Sequence, residues 1–151
     1  MFEISLRDVT KSFGSHVALP ALDLDVSKGC FVTLLGPSGC GKTTTLRVIA
    51  GLERPSGGEV TIAGQTVYSE RTGVFLPPEK RGLGFIFQSY ALWPNMKVDR
   101  NITLALSEAG LPRAVISERL AEALERCQLH GYEDRYPSEL SGGQQDRKSV
   151  V

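Results

Sequence analysis

The feature that most constrains this chain is a glycine-rich segment, residues 36–43, which reads GPSGCGKT and fits the pattern G-x-x-x-x-G-K-[ST]. A short apolar run at residues 30–35 precedes it and predicts a buried central strand, because it contains β-branched residues and lies between glycines. Residues 43–52 are predicted to form a helix that ends near Gly51. A strand, a glycine-rich loop and a helix in this order indicate a phosphate-binding loop.

The residue types of this loop indicate its chemistry. Glycines let the backbone curl so that successive N–H groups point inward, and the start of a helix adds the positive end of its dipole. Lys42 would reach the β- and γ-phosphates, and the Thr43 hydroxyl would take a Mg²⁺ position. The threonines at 43–45 are poor helix formers, and phosphate and magnesium chemistry would account for them. Cys40 is interpreted as a small filler residue rather than a redox switch.

Composition is that of an ordinary globular protein. Apolar residues make up 41% and charged residues 23% of the 151 residues, and 17 basic residues balance 17 acidic ones. This neutral balance gives no electrostatic reason to expect nucleic acid as a partner. No apolar run approaches the roughly 20 residues of a membrane-spanning helix, so a membrane role is expected to come through a partner.

The remaining patterns predict a β-rich part followed by a helical part. Residues 1–26 alternate apolar and polar side chains, which is typical of half-buried antiparallel strands. Two further strands are predicted at residues 59–62 and 83–87. From about Val98 the period becomes helical, and Ser117 is predicted to be the N-cap of the last helix.

A second glycine-rich motif, LSGGQQ, occupies residues 140–145. Ser141 followed by Gln144 is a capping-box pattern, and Gly142 and Gly143 leave the backbone N–H groups of a helix start uncovered. A phosphate-binding loop alone leaves kinases, GTPases and many ATPases open. A second anion site is explained if it contacts the γ-phosphate of a nucleotide held by another subunit.

With these two motifs the chain resembles the ATP-binding cassette (ABC) ATPases: residues 36–43 match the Walker A motif of that family, and residues 140–145 match its signature motif. The resemblance implies an α/β fold, a P-loop NTPase nucleotide-binding domain with an antiparallel β subdomain, a parallel core sheet and a helical subdomain. We expect this domain over residues 1–145, with the β and P-loop part at about 1–88 and the helical subdomain at about 89–145.

The resemblance also implies the roles of individual residues, with ATP and Mg²⁺ as cofactors. Phe13 would stack on adenine, a buried core phenylalanine being the alternative. Gln88 would contact Mg²⁺ and the attacking water, a plain strand-end glutamine being the alternative. Lys42 and Gln88 are thus the expected catalytic residues, and Thr43 and Gln88 the expected Mg²⁺ ligands. The residues expected to bind ATP are Phe13, Gly36, Ser38, Gly39, Cys40, Gly41, Lys42, Thr43, Thr44, Ser141, Gly142, Gly143 and Gln144.

Residues 76–81 and 88–96 are similar to importer ATPases for sugars, polyamines, ferric iron and similar solutes. In that family the segment after the glutamine faces the coupling helix of a transmembrane permease subunit. Tyr90, Leu92, Trp93 and Met96 are therefore expected to form an exposed apolar docking patch, with ordinary core positions as the alternative.

The resemblance further implies an assembly. Two ATPase subunits would pair head to tail, so that Lys42 and Thr43 of one copy face residues 141–144 of the other. The pair would lie on the cytoplasmic face of the inner membrane, bound to permease subunits and linked indirectly to a periplasmic or lipid-anchored solute-binding protein. The transported solute and the choice between homodimer and heterodimer are not specified.

The C-terminal end departs from the family pattern. The Walker B strand, catalytic glutamate and switch histidine of the family do not follow the signature, and residues 146–151 are interpreted as a non-native tail. We expect the chain to be incomplete at its C-terminus, poorly soluble, and no faster in ATP hydrolysis than a Lys42→Ala control. Two alternatives stay open: a soluble ABC-type ATPase not tied to transport, and an ATP-binding fragment without hydrolysis.

Overall fold

The computed structural model describes residues 2–87 and 92–142. The chain divides into two compact units, Met1–Phe85 and Ile86–Val151. The first unit carries the strands and the glycine-rich loop, and the second carries two longer helices.

The first unit is built on a five-stranded antiparallel sheet. A long hairpin joins the first two strands and pairs Phe13 with His16 at its tip. The antiparallel strands expected within residues 1–26 are thereby confirmed. The strands are β1 (Phe2–Phe13), β2 (His16–Ser27), β3 (Gly57–Ile62), β4 (Gln65–Ser69) and β5 (Val74–Phe75), and their order in the sheet is β2-β1-β3-β4-β5.

One helix, α1 (Lys42–Ala50), packs on this sheet through Val48 and Ile49, which are buried in the same core as Leu6, Val9 and Val60. The helix ends two residues before the predicted position. Gly51 adopts a left-handed conformation with φ 82°, which stops the helical hydrogen-bond pattern. The apolar face of α1 therefore fixes the helix to the sheet near its C-terminal end.

The second unit contains α2 (Val98–Glu108) and α3 (Arg113–Cys127). Its core is formed by residues from both helices and from the chain that follows them. Ser117 is not the N-cap of α3, because Pro112 already has the extended backbone of an N-cap and the helix starts directly after it. The buried core residues are Val98, Leu124, Cys127, Leu129 and Leu140.

Two predicted strands are not formed. Residues 30–35 adopt no regular structure, and Phe31 and Leu35 are 96% and 89% exposed rather than buried. Residues 83–87 likewise form no strand. A central strand requires hydrogen-bonding neighbours along its length, and every strand pairing among the described residues belongs to the antiparallel sheet. The expected parallel core sheet is therefore absent from the described residues.

Within residues 2–87 and 92–142, none of the helices has the length and apolar character needed to cross a bilayer.

Candidate functional site

The glycine-rich loop curls tightly against strand β2. Gly41, the N-cap of α1, has φ 91°, and a Cβ atom at this position would lie 2.7 Å from the backbone oxygen of Ala18. A Cβ atom at Gly36 would lie 2.6 Å from Sγ of Cys40. Only glycine fits at Gly41, because the carbonyl it approaches belongs to the backbone of the sheet.

Lys42 lies over this loop. Its ammonium donates hydrogen bonds to the backbone oxygens of Gly36 (2.7 Å) and Pro37 (2.6 Å), and lies 3.3 Å from Sγ of Cys40. The side chain thus turns back from the first residue of α1 over the segment that precedes it. The cation is placed where the N-terminal end of the helix dipole also favours negative charge.

The three threonines at the start of α1 differ in their surroundings. Thr43 is exposed and Thr44 is half-buried, whereas Thr45 is buried and its hydroxyl donates to the backbone oxygen of Gly41 at 2.9 Å. Thr45 therefore has a structural role, and the expectation that phosphate and magnesium chemistry accounts for all three threonines is too broad. Thr43, next to Lys42, is the most exposed of the three.

The donors at this helix start fit a phosphate chain and its cation. The first N–H groups of an α-helix have no intrahelical acceptor, so those of the first turn of α1 are available to a ligand. Lys42 adds a positive charge, and the exposed Thr43 hydroxyl is a ligand of the oxygen type that Mg²⁺ prefers. Among the described residues, no cluster of three or more His, Cys, Asp or Glu side chains offers an alternative metal site.

A cavity of about 300 Å³ is lined by residues of β2, of the segment 33–35, and of the loop and the start of α1. Most of its lining is hydrophobic, and part of it comes from residues 33–35, whose predicted strand is not formed. Because Cys40, Lys42 and Thr45 are part of this lining, the cavity adjoins the glycine-rich loop, and its apolar remainder supplies few donors for phosphate oxygens. It is lined by Leu19, Pro20, Ala21, Leu22, Leu24, Thr33, Leu34, Leu35, Cys40, Lys42 and Thr45.

Phe13 ends β1 at the tip of the hairpin. Its ring is 49% exposed, which excludes the alternative of a buried core phenylalanine. The ammonium of Lys11 lies 4.6 Å from the ring centroid and also pairs with Glu53 at 2.6 Å. Ala18, which the loop contacts, lies two residues along β2 from the residue paired with Phe13, about 7 Å along the strand. The hairpin therefore brings Phe13 to the same end of the sheet as the loop.

The other predicted site residues are described only in part. Ser141 and Gly142 are exposed and directly follow the buried Leu140. Gly143, Gln144 and Gln88 lie outside the described residues. The roles assigned to these five residues by resemblance stay predictions.

The expected docking patch is also described in part, because Tyr90 lies outside the described residues. Trp93 is 54% exposed, while Leu92 and Met96 are half-buried. Among the described members of the patch, Trp93 is thus the most exposed to solvent.

Asn101, which was not among the residues expected from the sequence, shapes this segment. Its Oδ1 accepts a hydrogen bond from the backbone N–H of Trp93 (2.8 Å). Its Nδ2 donates to the backbone oxygens of Trp93 (3.1 Å), Met96 (2.9 Å) and Lys97 (3.0 Å). An asparagine in the first turn of a helix that follows a Pro-Asn turn is the sequence signal that could have indicated this role.

The start of α2 is fixed by the chain that follows α3. The backbone N–H groups of Val98 and Asp99 donate to the oxygens of Arg135 (2.9 Å) and Glu133 (3.0 Å). The Lys97 ammonium donates to Asp134 at 2.7 Å, which lowers the pKa of the Asp134 carboxyl and raises that of Lys97. The patch therefore precedes a helix whose first turn is held by hydrogen bonds within the second unit.

We expect Asn101→Ala to destabilise the second unit by about 2–3 kcal/mol, because the change leaves part-buried backbone groups without their hydrogen-bond partner. Asn101→Asp keeps one acceptor and loses the donors, so it is expected to lose nearly as much. Urea unfolding followed by the fluorescence of Trp93, the only tryptophan, measures the effect. Asn95→Ala, an exposed asparagine of the same segment, is the control and should stay within about 0.5 kcal/mol of the parent. Equal losses for the alanine variants at 95 and 101 would contradict the assigned role.

The known proteins that this chain resembles belong to one family. The family model described as ABC transporter matches residues 19–151. The chain is 49% identical over 148 residues to the spermidine/putrescine import ATP-binding protein PotA of Rubrobacter xylanophilus, covering 98% of this chain and 38% of that protein. It is 47% identical over 148 residues to the Fe(3+) ions import ATP-binding protein FbpC of Photorhabdus laumondii, covering 98% of this chain and 40% of that protein.

A solved structure matches as well. It is the dimeric structure of an ATP-binding cassette in a post-hydrolysis state, bound to ADP and Pi. The TM-score is 0.80 at 30% sequence identity, and the match covers 97% of this chain and 67% of that chain. The chain thus has the fold of an ABC nucleotide-binding domain, but it spans only about two fifths of the length of the curated relatives it matches.

Proposed function

The chain belongs to the ABC transporter family, and from this premise we propose that it is part of the ATP-binding and ATP-hydrolysing subunit of a solute importer. The observation that carries the proposal is the position of Lys42, whose ammonium lies over the glycine-rich loop at the start of α1. A cation, a helix start and a loop in which only glycine fits at Gly41 together suit a nucleotide phosphate chain.

The binding step follows from groups on this chain. Phosphate oxygens would accept hydrogen bonds from the N–H groups at the start of α1, and Lys42 would exchange the oxygens of Gly36 and Pro37 for phosphate oxygens. The exchange at Lys42 replaces neutral acceptors with charged ones, which strengthens the hydrogen bonds. Phe13 would hold the adenine ring by stacking.

The hydrolytic step transfers the γ-phosphoryl group to water, and catalysis is mainly positioning and charge stabilisation. Thr43 would hold Mg²⁺, which neutralises charge on the β- and γ-phosphates when bound. Gln88 would orient the attacking water. Lys42 would stabilise the charge that develops on the transferred group.

The assembly that we propose is a head-to-tail pair of ATPase subunits. In support, the solved structure that the chain resembles is described as dimeric. Ser141, Gly142, Gly143 and Gln144 of a second copy would then contact the γ-phosphate from the side opposite Lys42. Closing of the pair around ATP and opening after hydrolysis would drive the transport cycle.

Coupling to transport would pass through the segment that contains Tyr90, Leu92, Trp93 and Met96, with a transmembrane permease subunit as its partner. The subunit would then lie peripherally on the cytoplasmic face of the membrane. A solute-binding protein would take part only indirectly. The two relatives are named for the import of spermidine/putrescine and of Fe(3+) ions, so the solute is not assigned.

The direct test is a calorimetric titration of the chain with ATP, ADP and AMP in the presence of Mg²⁺. We expect ATP and ADP to bind, and AMP to bind about 10- to 100-fold more weakly, because it lacks the phosphates that Lys42 and the helix start would contact. Equal affinities for ATP and AMP would exclude a site built on the phosphate chain.

A second expectation concerns the adenine. Phe13→Ala should weaken ATP binding about 2- to 10-fold through loss of aromatic stacking, and Phe13→Tyr should restore it. Phe31→Ala is a matched control, since it removes an exposed phenyl ring from the same unit without touching the proposed site. An unchanged Kd for ATP in Phe13→Ala would show that Phe13 does not contact the adenine. An equal increase of the Kd in Phe13→Ala and Phe31→Ala would show the same.

A further inference from the structure

Arg81 is a buried cation that the proposed mechanism does not use. Its side chain is 5% exposed, and the described residues offer it no carboxylate within ion-pair distance. Burial lowers the pKa of the guanidinium below its ordinary value. A charge in this position requires compensation from hydrogen bonds.

Nη2 of Arg81 is buried without a hydrogen-bond partner among the described residues, and the compensation reaches Nη1 and Nε, mainly from the C-terminal end of α1. Nη1 of Arg81 donates to the backbone oxygens of Val48 and Ile49, both at 2.9 Å, and Nε donates to the backbone oxygen of Leu76 at 2.8 Å. The last carbonyls of an α-helix have no intrahelical donor and form the negative end of its dipole. The guanidinium therefore closes the end of the helix opposite to Lys42.

The surroundings of Arg81 hold it in one place. The guanidinium lies 5.4 Å from the ring centroid of Phe75. A Cβ atom at Gly51 would lie 2.5 Å from Nε of Arg81, so the residue after α1 leaves just enough space for the guanidinium. Leu76 is tied to the sheet, because its N–H donates to the backbone oxygen of Val67 at 2.8 Å. Arg81 thus connects α1 to the β4–β5 edge of the sheet.

The length of α1 carries this restraint to the nucleotide end. The helix has 9 residues and is about 13 Å long, which is short enough to move as one body. Three of its four buried residues, Val48, Ile49 and Ala50, lie near the C-terminal end, as does Arg81, whereas Thr45 is buried in the N-terminal half. A change in that anchorage would tilt the helix and displace Lys42 and Thr43 at its other end.

We infer that Arg81 is a positioning residue for the nucleotide site, acting through α1 to place Lys42 and Thr43 against the phosphates. The inference rests on the proposed function, since it assumes that these two residues bind ATP. Arg81 lies 39 positions from Lys42 in the sequence and is not one of the residues expected to bind the nucleotide.

The test separates positioning from folding by measuring the stoichiometry and the Kd of ATP binding in one calorimetric titration. Arg81→Met removes the charge and the donors but keeps an unbranched apolar stem. Arg81→Lys keeps the charge and loses the planar fork that reaches both carbonyls. A misplaced Lys42 should raise the Kd about 10-fold in Arg81→Met and less in Arg81→Lys, with the stoichiometry of the folded fraction unchanged. A purely structural role would instead lower the stoichiometry and leave the Kd at the parent value.

Two control variants, Arg54→Met and Lys42→Ala, complete the test. Arg54→Met changes a guanidinium 5.3 Å from the same Phe75 ring but exposed, and it should leave the Kd within about 2-fold of the parent value. Loss of ATP binding in Lys42→Ala together with parent-like Kd values in both Arg81 variants would overturn this inference alone. ATP binding that survives in Lys42→Ala would overturn the proposed function. If Arg81→Met does not fold, the Kd of Arg81→Lys decides: a parent value overturns the inference, and a raised value supports it.

Discussion

Replacing Lys42 with alanine is expected to weaken ATP binding about 100-fold, because the change removes a charge-assisted contact to the phosphates. The ammonium lies over the loop and donates to two of its carbonyls, at Gly36 and Pro37, so no backbone rearrangement is needed to bring it there. Lys42→Arg keeps the charge, but its larger planar head does not match the tight loop, and we expect about 10-fold weaker binding. Calorimetric titration with ATP and Mg²⁺ measures both variants.

Lys28→Ala is the matched control for this prediction. Lys28 is an exposed lysine of the same unit, and its removal should change the Kd less than 2-fold at about 0.15 M salt, where distant surface charges are screened. Lys42 donates to exposed carbonyls that water can satisfy, so Lys42→Ala should unfold at the same urea concentration as the parent chain. Binding that survives in Lys42→Ala would show that the glycine-rich loop is not the nucleotide site.

The second large effect is expected at Gly58 in β3, where alanine should destabilise the first unit by about 3–5 kcal/mol. Gly58 has φ +87°, and a Cβ atom there would lie 2.4 Å from the backbone oxygen of Asp8 and 2.5 Å from that of Arg7. The pairing of β1 with β3 shifts register between Arg7 and Thr10, and Asp8 itself has φ 48°. The atoms that would clash belong to the backbone of the central strand pair, so they cannot move aside without breaking the sheet.

Gly73→Ala isolates the steric part of this effect. Gly73 has a similar φ of +73°, but a Cβ atom there would meet nothing within 4 Å. Its substitution should therefore destabilise only by the left-handed backbone penalty of about 1–2 kcal/mol. Urea unfolding followed by circular dichroism compares the two variants. An equal loss of unfolding free energy in both variants would mean that the close approach of β1 does not prevent a side chain at position 58.

The features predicted correctly from sequence are those encoded by a few neighbouring residues. The curled glycine-rich loop is one, because Gly36, Gly39 and Gly41 adopt the positive φ that a curled backbone requires, and Lys42 lies over the loop. The β1–β2 hairpin is another, since strict alternation of apolar side chains is sufficient to indicate one buried face. The two motifs together were sufficient to predict the family, which the comparisons confirm.

Features that depend on distant residues could not be predicted in this way. Residues 30–35 have the composition of a buried strand, yet Phe31 and Leu35 are exposed, since a strand forms only where neighbouring strands supply hydrogen bonds. Local composition describes what a segment prefers, but it contains no information about whether a partner for that segment is present.

The same reason explains why sequence analysis missed Arg81 and Asn101. Arg81 resembles any surface arginine until α1 presents the carbonyls of Val48 and Ile49 to it, 33 and 32 residues away along the chain. Asn101 is recognisable as important only when the turn at Trp93 folds back onto it. Local pattern was enough to indicate the curled loop and its cation, whereas the contacts of Arg81 and Asn101 were decided by the tertiary structure, because such contacts form only when separate parts of the chain meet.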